Sequence, residues 1–257
     1  MNYRTTTQSP EVNELMQALL DSLLDLLGPR LAGLYLTGSL ALGDFRPESS
    51  DIDFVVATRG LLGGEAIAQL ARMHGQLRGS TRLYSNRMEG DYVPLEAIRR
   101  YDPHHFTYPH LGVDGHFAVE RHDSNEVIQW AVLREHGIVL YGLPPDAIMD
   151  EISPQQIRTA ERDFLREWWR PQLQDPHRLE DAEYQAYTVL TMCRILYTLE
   201  FGRIVSKSQA ARWAALEFPQ YAGLISLAEK WRRGSRFNER ESTLDMLRFV
   251  LDRGAPE

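Results

Sequence analysis

The hydrophobic positions along the first hundred residues predict a small mixed α/β domain. Apolar residues recur with a helical period over residues 10–27, after a serine cap and a proline at the first helical position. Short continuous apolar runs at 31–37 and 52–57 are typical of buried strands, and an apolar face over 67–77 indicates a second helix. Residues 82–95 are strand-like. The predicted order is helix, strand, turn, strand, helix, strand.

The remainder of the chain becomes helical after an irregular segment. Residues 96–123 carry two prolines and five histidines, so we predict a long loop there that contains one short strand. Helices are then expected over 124–136, 153–169 and 179–201, with two or three more to follow. We therefore predict the fold class α+β, with a mixed-sheet domain over residues 1–142 and an all-helical bundle over residues 143–257.

Composition narrows the classes of function. The 257 residues carry a formal net charge of −8, which argues against a general nucleic-acid binder with its basic footprint. A single cysteine, Cys193, excludes an intramolecular disulfide and a cysteine-rich zinc site. The polar start of the chain and the lack of a run of about 18 apolar residues predict a cytoplasmic protein without a signal peptide or a membrane span. We expect a monomer.

Gly38-Ser39 directly follows the first predicted strand. A glycine lets the backbone approach a ligand closely, and a serine offers both its N–H and its hydroxyl to a phosphate. If a helix begins at Leu40, its free N–H groups also favour an anion. Such a dipeptide is common in ordinary turns, so its interpretation depends on the residues that follow it.

Two aspartates, Asp51 and Asp53, stand at the start of the second predicted strand. Residues two apart on a strand point to the same face, so their carboxylates are expected side by side. A hard cation removes their repulsion and the cost of burying them, and magnesium accepts carboxylate and phosphate oxygens together. Ser50, just before the pair, can donate to a phosphate. A bare Asp-x-Asp more often marks a solvated strand end, but the Gly-Ser turn before it favours a metal site.

A third carboxylate would complete a two-metal site of the kind used for in-line phosphoryl displacement. Glu89 on the next predicted strand is the candidate, and it could also accept the proton of an attacking hydroxyl. Asp91 lies on the same strand face by alternation and is the rival.

Gly38-Ser39 and Asp51-Ile52-Asp53, followed by an apolar strand, resemble the signature of the nucleotidyltransferase (polymerase β-like) superfamily. The resemblance covers residues 30–95. It implies that the two aspartates bind two Mg²⁺ ions and that the Gly-Ser turn, with Ser50, holds the triphosphate of ATP. It also places Glu89 at the position of the catalytic base, where the side chain shares in metal binding.

A second resemblance concerns the helical half of the chain. The run from Thr188 to Ala214 is similar to the helical C-terminal domain of the AadA-type aminoglycoside adenylyltransferases. It implies that Arg194 and Lys207 reach the phosphates of ATP. The sequence around Arg194 supports this role, because a guanidinium in an almost wholly apolar helix needs an anionic partner. That partner is either a triphosphate or an internal carboxylate. For Lys207 the resemblance alone indicates the role.

The second resemblance also implies the reaction. AMP would pass from Mg-ATP to a hydroxyl of an aminoglycoside or aminocyclitol, such as streptomycin or spectinomycin, and pyrophosphate would leave. A cationic acceptor suits the acidic Glu180 and Asp181 near the start of the long helix, although acids there also stabilise a helix dipole.

The match is poor at the positions that family members use for streptomycin. Those members carry a tryptophan and two aspartates there, and the matching positions of this chain hold Asp175, Glu180 and Tyr184. Trp168, Trp169 and Asp181 could take their place if the loop is shifted. An alternative therefore stays open, in which the same fold modifies another small hydroxylated metabolite or a protein side chain, as nucleotidyltransferases of toxin–antitoxin systems do.

Five histidines cluster before the helical half of the chain: His104, His105, His110, His116 and His122. Their spacing fits no standard zinc site. We expect them at the surface or at the rim of the site.

Overall fold

A computed structural model describes residues 7–100, 107–121 and 125–254. The chain divides into two compact units, of which the first comprises residues 1–45 and 50–151 and the second comprises residues 46–49 and 152–257. The first unit runs to residue 151, and within it the backbone N–H of Asp150 donates to the carbonyl of Arg99, 2.9 Å away. The domain boundary at residue 142 stays a prediction.

The first unit is built on a mixed sheet. Its described elements, in chain order, are α1 (Pro10–Leu27), β1 (Leu31–Leu36), α2 (Gly38–Ala41), β2 (Ile52–Thr58), α3 (Gly64–Arg78), β3 (Met88–Pro94), α4 (Leu95–Arg99), β4 (Thr107–Leu111), β5 (Phe117–Arg121), α5 (Asn125–His136), β6 (Ile138–Gly142) and α6 (Pro145–Ile148).

The six described strands are ordered β5-β4-β3-β2-β1-β6. Only β2 and β3 pair in parallel, and α3 supplies the crossover that a parallel pair requires. The other neighbours pair antiparallel. The apolar face of α1 packs with β1, β2 and α3 in one buried cluster, which fixes the strands that carry the predicted site residues.

The sequence-based elements of this unit are confirmed where they concern α1, β1, β2 and α3. Ser9 caps α1, since its hydroxyl accepts a hydrogen bond from the N–H of Val12. Two expectations are wrong in detail. The strand expected over 82–95 begins only at Met88, because the preceding residues form turns in which Tyr84 adopts a positive φ of 67°. The helix expected from Leu40 begins at Gly38.

The prediction of a long loop with one short strand over 96–123 is also wrong. The segment contains α4 and the two strands β4 and β5, which pair as a hairpin. The hairpin turn is closed by hydrogen bonds from Gly112 N–H to the carbonyl of His116 and from Gly115 N–H to that of Gly112, both 2.8 Å. Ser124, the expected cap of α5, lies outside the described residues.

The second unit is helical. It comprises α7 (Pro154–Phe164), a π-helical turn (Leu165–Trp169), α8 (Pro171–Gln174), a 3₁₀ turn (His177–Glu180), α9 (Ala182–Phe201), α10 (Lys207–Glu217), α11 (Ala222–Lys230) and α12 (Arg240–Gly254).

The long helix α9 is the centre of the second unit. Its residues from Ala186 to Tyr197 join one buried apolar cluster with α10, α11 and α12. Gly202 ends α9 in the left-handed conformation, with φ 64°, as the sequence predicts. The fold class is therefore α+β, a mixed-sheet unit followed by a helical unit. Among the described residues, no helix is long and apolar enough to cross a membrane.

Candidate active site

The Gly-Ser turn lies against the second aspartate of the pair. The N–H of Thr37 donates to the carbonyl of Asp53 at 3.0 Å, which ties the end of β1 to β2. Gly38 has φ +58°, and a Cβ on it would stand 2.6 Å from Cγ of Asp53. Only a glycine therefore lets the turn approach the carboxylate this closely.

Two hydroxyls beside this turn are buried and have no hydrogen-bond partner within the described protein. They are Oγ of Ser39 and Oγ1 of Thr37. Buried polar groups are nearly always hydrogen-bonded, so such hydroxyls point to a partner supplied from outside the chain. A phosphate oxygen is a partner of the right kind for Ser39.

The parallel pairing of β2 with β3 places Asp53 directly beside Glu89. Asp91 lies two residues further along β3, opposite Val55 on β2 and opposite His110 on β4. Between the two acids, Gly90 faces the other side of the sheet, where a Cβ would lie 2.6 Å from the ring of Phe54. The register therefore favours Glu89 over Asp91 as the third acid of the site.

Arg87 holds the loop that carries Asp51. Its Nε lies 3.8 Å from Oδ1 of Asp51, and its Nη2 donates to the carbonyl of Ser50. The guanidinium also stacks on the ring of Tyr84, 5.2 Å from the centroid. Arg87 is not predicted from the sequence, because nothing in the spacing shows that an arginine between two strands turns back onto the acid pair.

The carboxylates raise one another's proton affinity. Glu89 keeps 43% of its side-chain surface exposed, yet burial by neighbouring protein atoms, together with the negative charges of Asp53, Asp51 and Asp91, raises its pKa to about 7. The nearby His110 acts in the opposite direction. A carboxyl with such a pKa can accept a proton near neutral pH.

His110 is the second residue of the site that the sequence did not single out for chemistry. Its Nδ1 lies 2.8 Å from Oδ1 of Asp91, and its Nε2 lies 3.9 Å from Oε1 of Glu89. Burial lowers the pKa of His110, but the hydrogen bond and charge of Asp91, with the charges of Glu89 and Glu120, raise it to about 9. The side chain of His110 is 21% exposed, and its expected position at the surface or at the rim of the site stays a prediction.

The structure describes one other histidine of the cluster. His116 is exposed in the turn between β4 and β5. His104, His105 and His122 lie outside the described residues.

The three carboxylates are of the chemical type that binds Mg²⁺, although their side chains do not converge on a common point. Asp51, Asp53 and Glu89 offer carboxylate oxygens, the ligands that Mg²⁺ prefers, and their charges act on one another. Among the described residues, however, no three acidic, histidine or cysteine side chains converge closely enough to hold a metal as they stand. Binding would therefore require the side chains to turn toward the ion.

The two basic residues predicted to reach ATP lie in the helical unit. Arg194 on α9 lies near the buried Glu161 of α7, whose pKa burial raises to about 7 while the charge of Arg194 opposes the shift. An internal carboxylate therefore lies within reach of this guanidinium. Lys207, the first residue of α10, lies over the ring of Tyr187 with its Nζ 4.0 Å from the centroid.

The acids predicted to bind the acceptor have different surroundings. Asp181 caps α9, since its carboxylate accepts a hydrogen bond from the N–H of Tyr184 at 2.8 Å. Glu180 lies exposed at the end of the preceding 3₁₀ turn. Trp169 is fully buried, so its side chain does not reach the surface as a contact of the acceptor would require. Trp168 is 37% exposed and carries the guanidinium of Arg178 at 5.1 Å.

Two family models match this chain. Residues 16–88 match the nucleotidyltransferase domain, and residues 147–253 match the C-terminal domain of aminoglycoside adenylyltransferase. Among curated proteins, the chain is 27% identical to a spectinomycin 9-adenylyltransferase of Staphylococcus aureus over 225 residues, which covers 82% of this chain and 81% of the relative. It is 24% identical to the enzyme of the same name from Campylobacter jejuni, with 84% of each chain covered.

A solved structure shares the fold. The spectinomycin adenyltransferase AAD(9) from Enterococcus faecialis, crystallised with ATP and spectinomycin, superposes with a TM-score of 0.75 at 19% identity. The match covers 94% of this chain and 98% of that one. With a match to the nucleotidyltransferase domain followed by a match to the aminoglycoside adenylyltransferase C-terminal domain, the chain is similar to the aminoglycoside adenylyltransferases.

Proposed function

We propose that this protein transfers AMP from Mg-ATP to a hydroxyl of an aminocyclitol antibiotic of the spectinomycin type and releases pyrophosphate. The observation that carries the proposal is the register of β2 and β3, which sets Glu89 beside Asp53, while Asp53 rests against the Gly38-Ser39 turn. The proposed base and the proposed metal ligand are thus neighbours, and the turn beside Asp53 carries the buried hydroxyl of Ser39.

Glu89 is the proposed catalytic base. Its carboxylate takes the proton of the acceptor hydroxyl, the freed oxygen forms a bond to the α-phosphorus of ATP, and the bond from that phosphorus to the pyrophosphate oxygen breaks. Bound Mg²⁺ would lower the raised pKa of Glu89, so that its carboxylate would be ionised when it meets the acceptor hydroxyl. Two Mg²⁺ ions, bound by Asp51, Asp53 and Glu89, would supply positive charge to the phosphate oxygens.

The proposed nucleotide contacts are the residues that the family resemblance implies. Gly38, Ser39 and Ser50 are proposed to contact the triphosphate in the first unit, where the buried Ser39 hydroxyl supports the assignment. Arg194 and Lys207 are proposed to contact it from the second unit. For Arg194 this role means that its guanidinium is shared between Glu161 and a phosphate.

The acceptor is proposed to be spectinomycin-like rather than streptomycin-like. The curated relatives that match over four-fifths of the chain are named for spectinomycin. The positions matched to the streptomycin residues hold other side chains, and the neighbouring Trp169 is buried. Glu180 and Asp181 are the proposed acidic contacts of the cationic acceptor, and the exposed Glu180 is the better placed because Asp181 already caps α9. No observation favours the alternative of a metabolite or protein side chain as acceptor.

A resistance test examines this proposal directly. The gene is expressed in a sensitive bacterium, and spectinomycin and streptomycin are applied separately, with a Glu89→Gln variant at matched expression as the control. We expect a raised inhibitory concentration for spectinomycin that the variant abolishes. Equal sensitivity of the wild-type and variant strains to both antibiotics would refute the proposed acceptor. Since ATP is the proposed co-substrate, we further propose that the enzyme works in the cytoplasm, and the expected monomer stays a prediction.

A further inference from the structure

Strand β4 brings a histidine to the base of the proposed reaction. The antiparallel register sets His110 opposite Asp91, and Glu89 follows on the same face of β3. The three side chains therefore form one row across two neighbouring strands, and Asp53 continues the row on β2. No residue of β4 belongs to the nucleotide or metal contacts proposed above.

We propose that His110 is a positioning residue for Glu89, held in place by Asp91. This inference rests on the proposed function, because it assigns a partner to the proposed base. Asp91 accepts a hydrogen bond from Nδ1 of His110 at 2.8 Å, which fixes the ring plane and leaves Nε2 directed at the carboxylate of Glu89. Nε2 then sets the rotamer in which Glu89 meets the acceptor hydroxyl.

The exposures of the three side chains support this division of roles. Asp91 and His110 are largely buried, with side-chain exposures of 16% and 21%, and are held by their mutual contact. Glu89 is the most open of the three, at 43%, as a group that meets an acceptor must be. Its 3.9 Å separation from Nε2 is longer than a hydrogen bond, and catalytic contacts of this kind often tighten only when the substrate is bound.

The paired strands β2, β3 and β4 hold the three side chains of this row in place. Gly90 lies between the two acids and pairs with Phe54 on β2. The ring of Phe54 covers Gly90 and leaves no room for a side chain there. The backbone of Gly90 also pairs with Leu111, the residue after His110. Strand positions of this kind hold a side chain more accurately than a loop does.

Steady-state kinetics of His110 variants tests the inference. For His110→Ala we expect kcat to fall about 10- to 100-fold, since a base that has lost its orientation loses part of the 10²- to 10⁴-fold that general base catalysis contributes. The Kd of Mg-ATP from calorimetry and the KM of the acceptor should stay within about twofold, because neither a nucleotide contact nor an acceptor contact is assigned to His110. His116→Ala, an exposed histidine of the same hairpin, is the matched control and should retain wild-type kcat.

Conservative variants separate positioning from a purely structural role. In His110→Gln the amide nitrogen can reach the place of Nε2 and should restore part of kcat, whereas in His110→Asn it can reach only Asp91 and should not. The double variant with Asp91→Asn should be no slower than His110→Ala alone, because both changes act through one contact. Thermal melting of each variant shows whether the fold is intact.

The outcomes are distinguishable. AMP transfer by wild type with an unchanged kcat for His110→Ala would overturn the inference and leave the proposed function standing. Full recovery by His110→Asn would also overturn it, because the residue would then serve only the contact with Asp91. If neither wild type nor His116→Ala transferred AMP to any acceptor, the proposed function would fail and the inference would fail with it.

Discussion

Replacing Gly38 by alanine perturbs the proposed site at its most crowded point. The backbone there has φ +58°, a left-handed conformation that costs a residue with a Cβ roughly 1 to 2 kcal/mol. The new Cβ would stand 2.6 Å from Cγ of Asp53, whereas ordinary contact begins at 3.4 Å. Cγ of Asp53 must therefore retreat by at least about 0.8 Å, the difference between these two distances, and the nearer Oδ2 must move further.

The retreat should cost far more activity than stability. A misplacement of about 1 Å at a reacting centre lowers a rate by roughly 10²-fold, so we expect Gly38→Ala to lower kcat by about 10- to 100-fold. The backbone strain alone should lower the free energy of unfolding by roughly 1 to 2 kcal/mol, which corresponds to a fall in Tm of a few degrees.

Gly43→Ala is the matched control. Gly43 follows in the same loop with φ +67°, and nothing lies within 4 Å of the place where its Cβ would be. This variant carries the same backbone strain without the collision. Steady-state kinetics and thermal melting of both variants should show similar losses of Tm, with the large loss of kcat confined to Gly38→Ala.

Two results would refute this reasoning. If Gly38→Ala kept kcat within about threefold of wild type, the position of Asp53 against the turn would not matter for the reaction. If Gly43→Ala lost as much activity as Gly38→Ala, strain in the loop would explain both, and the collision with Asp53 would carry no weight.

Three further predictions concern single side chains. Glu89→Gln should abolish AMP transfer while calorimetry shows Mg-ATP binding; near-normal turnover would disprove the base assignment. The pKa of Glu161 is raised to about 7 in the fold, so its contribution to stability is present below about pH 4.5 and is lost as pH rises through 7. In urea unfolding, the free energy of unfolding of Glu161→Gln minus that of wild type should therefore rise by roughly 2 to 3 kcal/mol from pH 5 to pH 8. A difference that stays constant with pH would contradict this. Asp181→Ala removes the cap of α9 and should cost about 1 kcal/mol in the same assay, unlike an Asp175→Ala control.

Local signals were enough to predict most of the fold. The Ser9 cap, the helical period of α1 and the left-handed Gly202 are properties of a few neighbouring residues, and the structure bears them out. The hairpin of β4 and β5 escaped because its strands are short, one contains Pro109, and their pairing depends on β3. The Asp114-Gly115 turn between them is a hairpin signal that could have revealed it.

The site divides in the same way. The acid pair and the Gly-Ser turn could be predicted because the alternation of strand side chains and the backbone freedom of glycine both act within one segment. The roles of Arg87 and His110 could not be predicted from the sequence. Each reaches the acids through a side chain whose direction is set by the register of neighbouring strands. The buried Glu161 near Arg194 shows the same limit, since a helix pattern marks both as inward-facing but cannot pair them.

Direct observation of AMP transfer tests the central claim. Purified protein is incubated with magnesium, ATP labelled at the α-phosphate and spectinomycin, and product mass and pyrophosphate are measured together. We predict one AMP added per antibiotic molecule and one pyrophosphate released, with neither product formed by the Asp53→Asn variant. The account would be contradicted if labelled product formed without release of pyrophosphate. It would also be contradicted if neither spectinomycin nor any related aminocyclitol gave labelled product at saturating ATP.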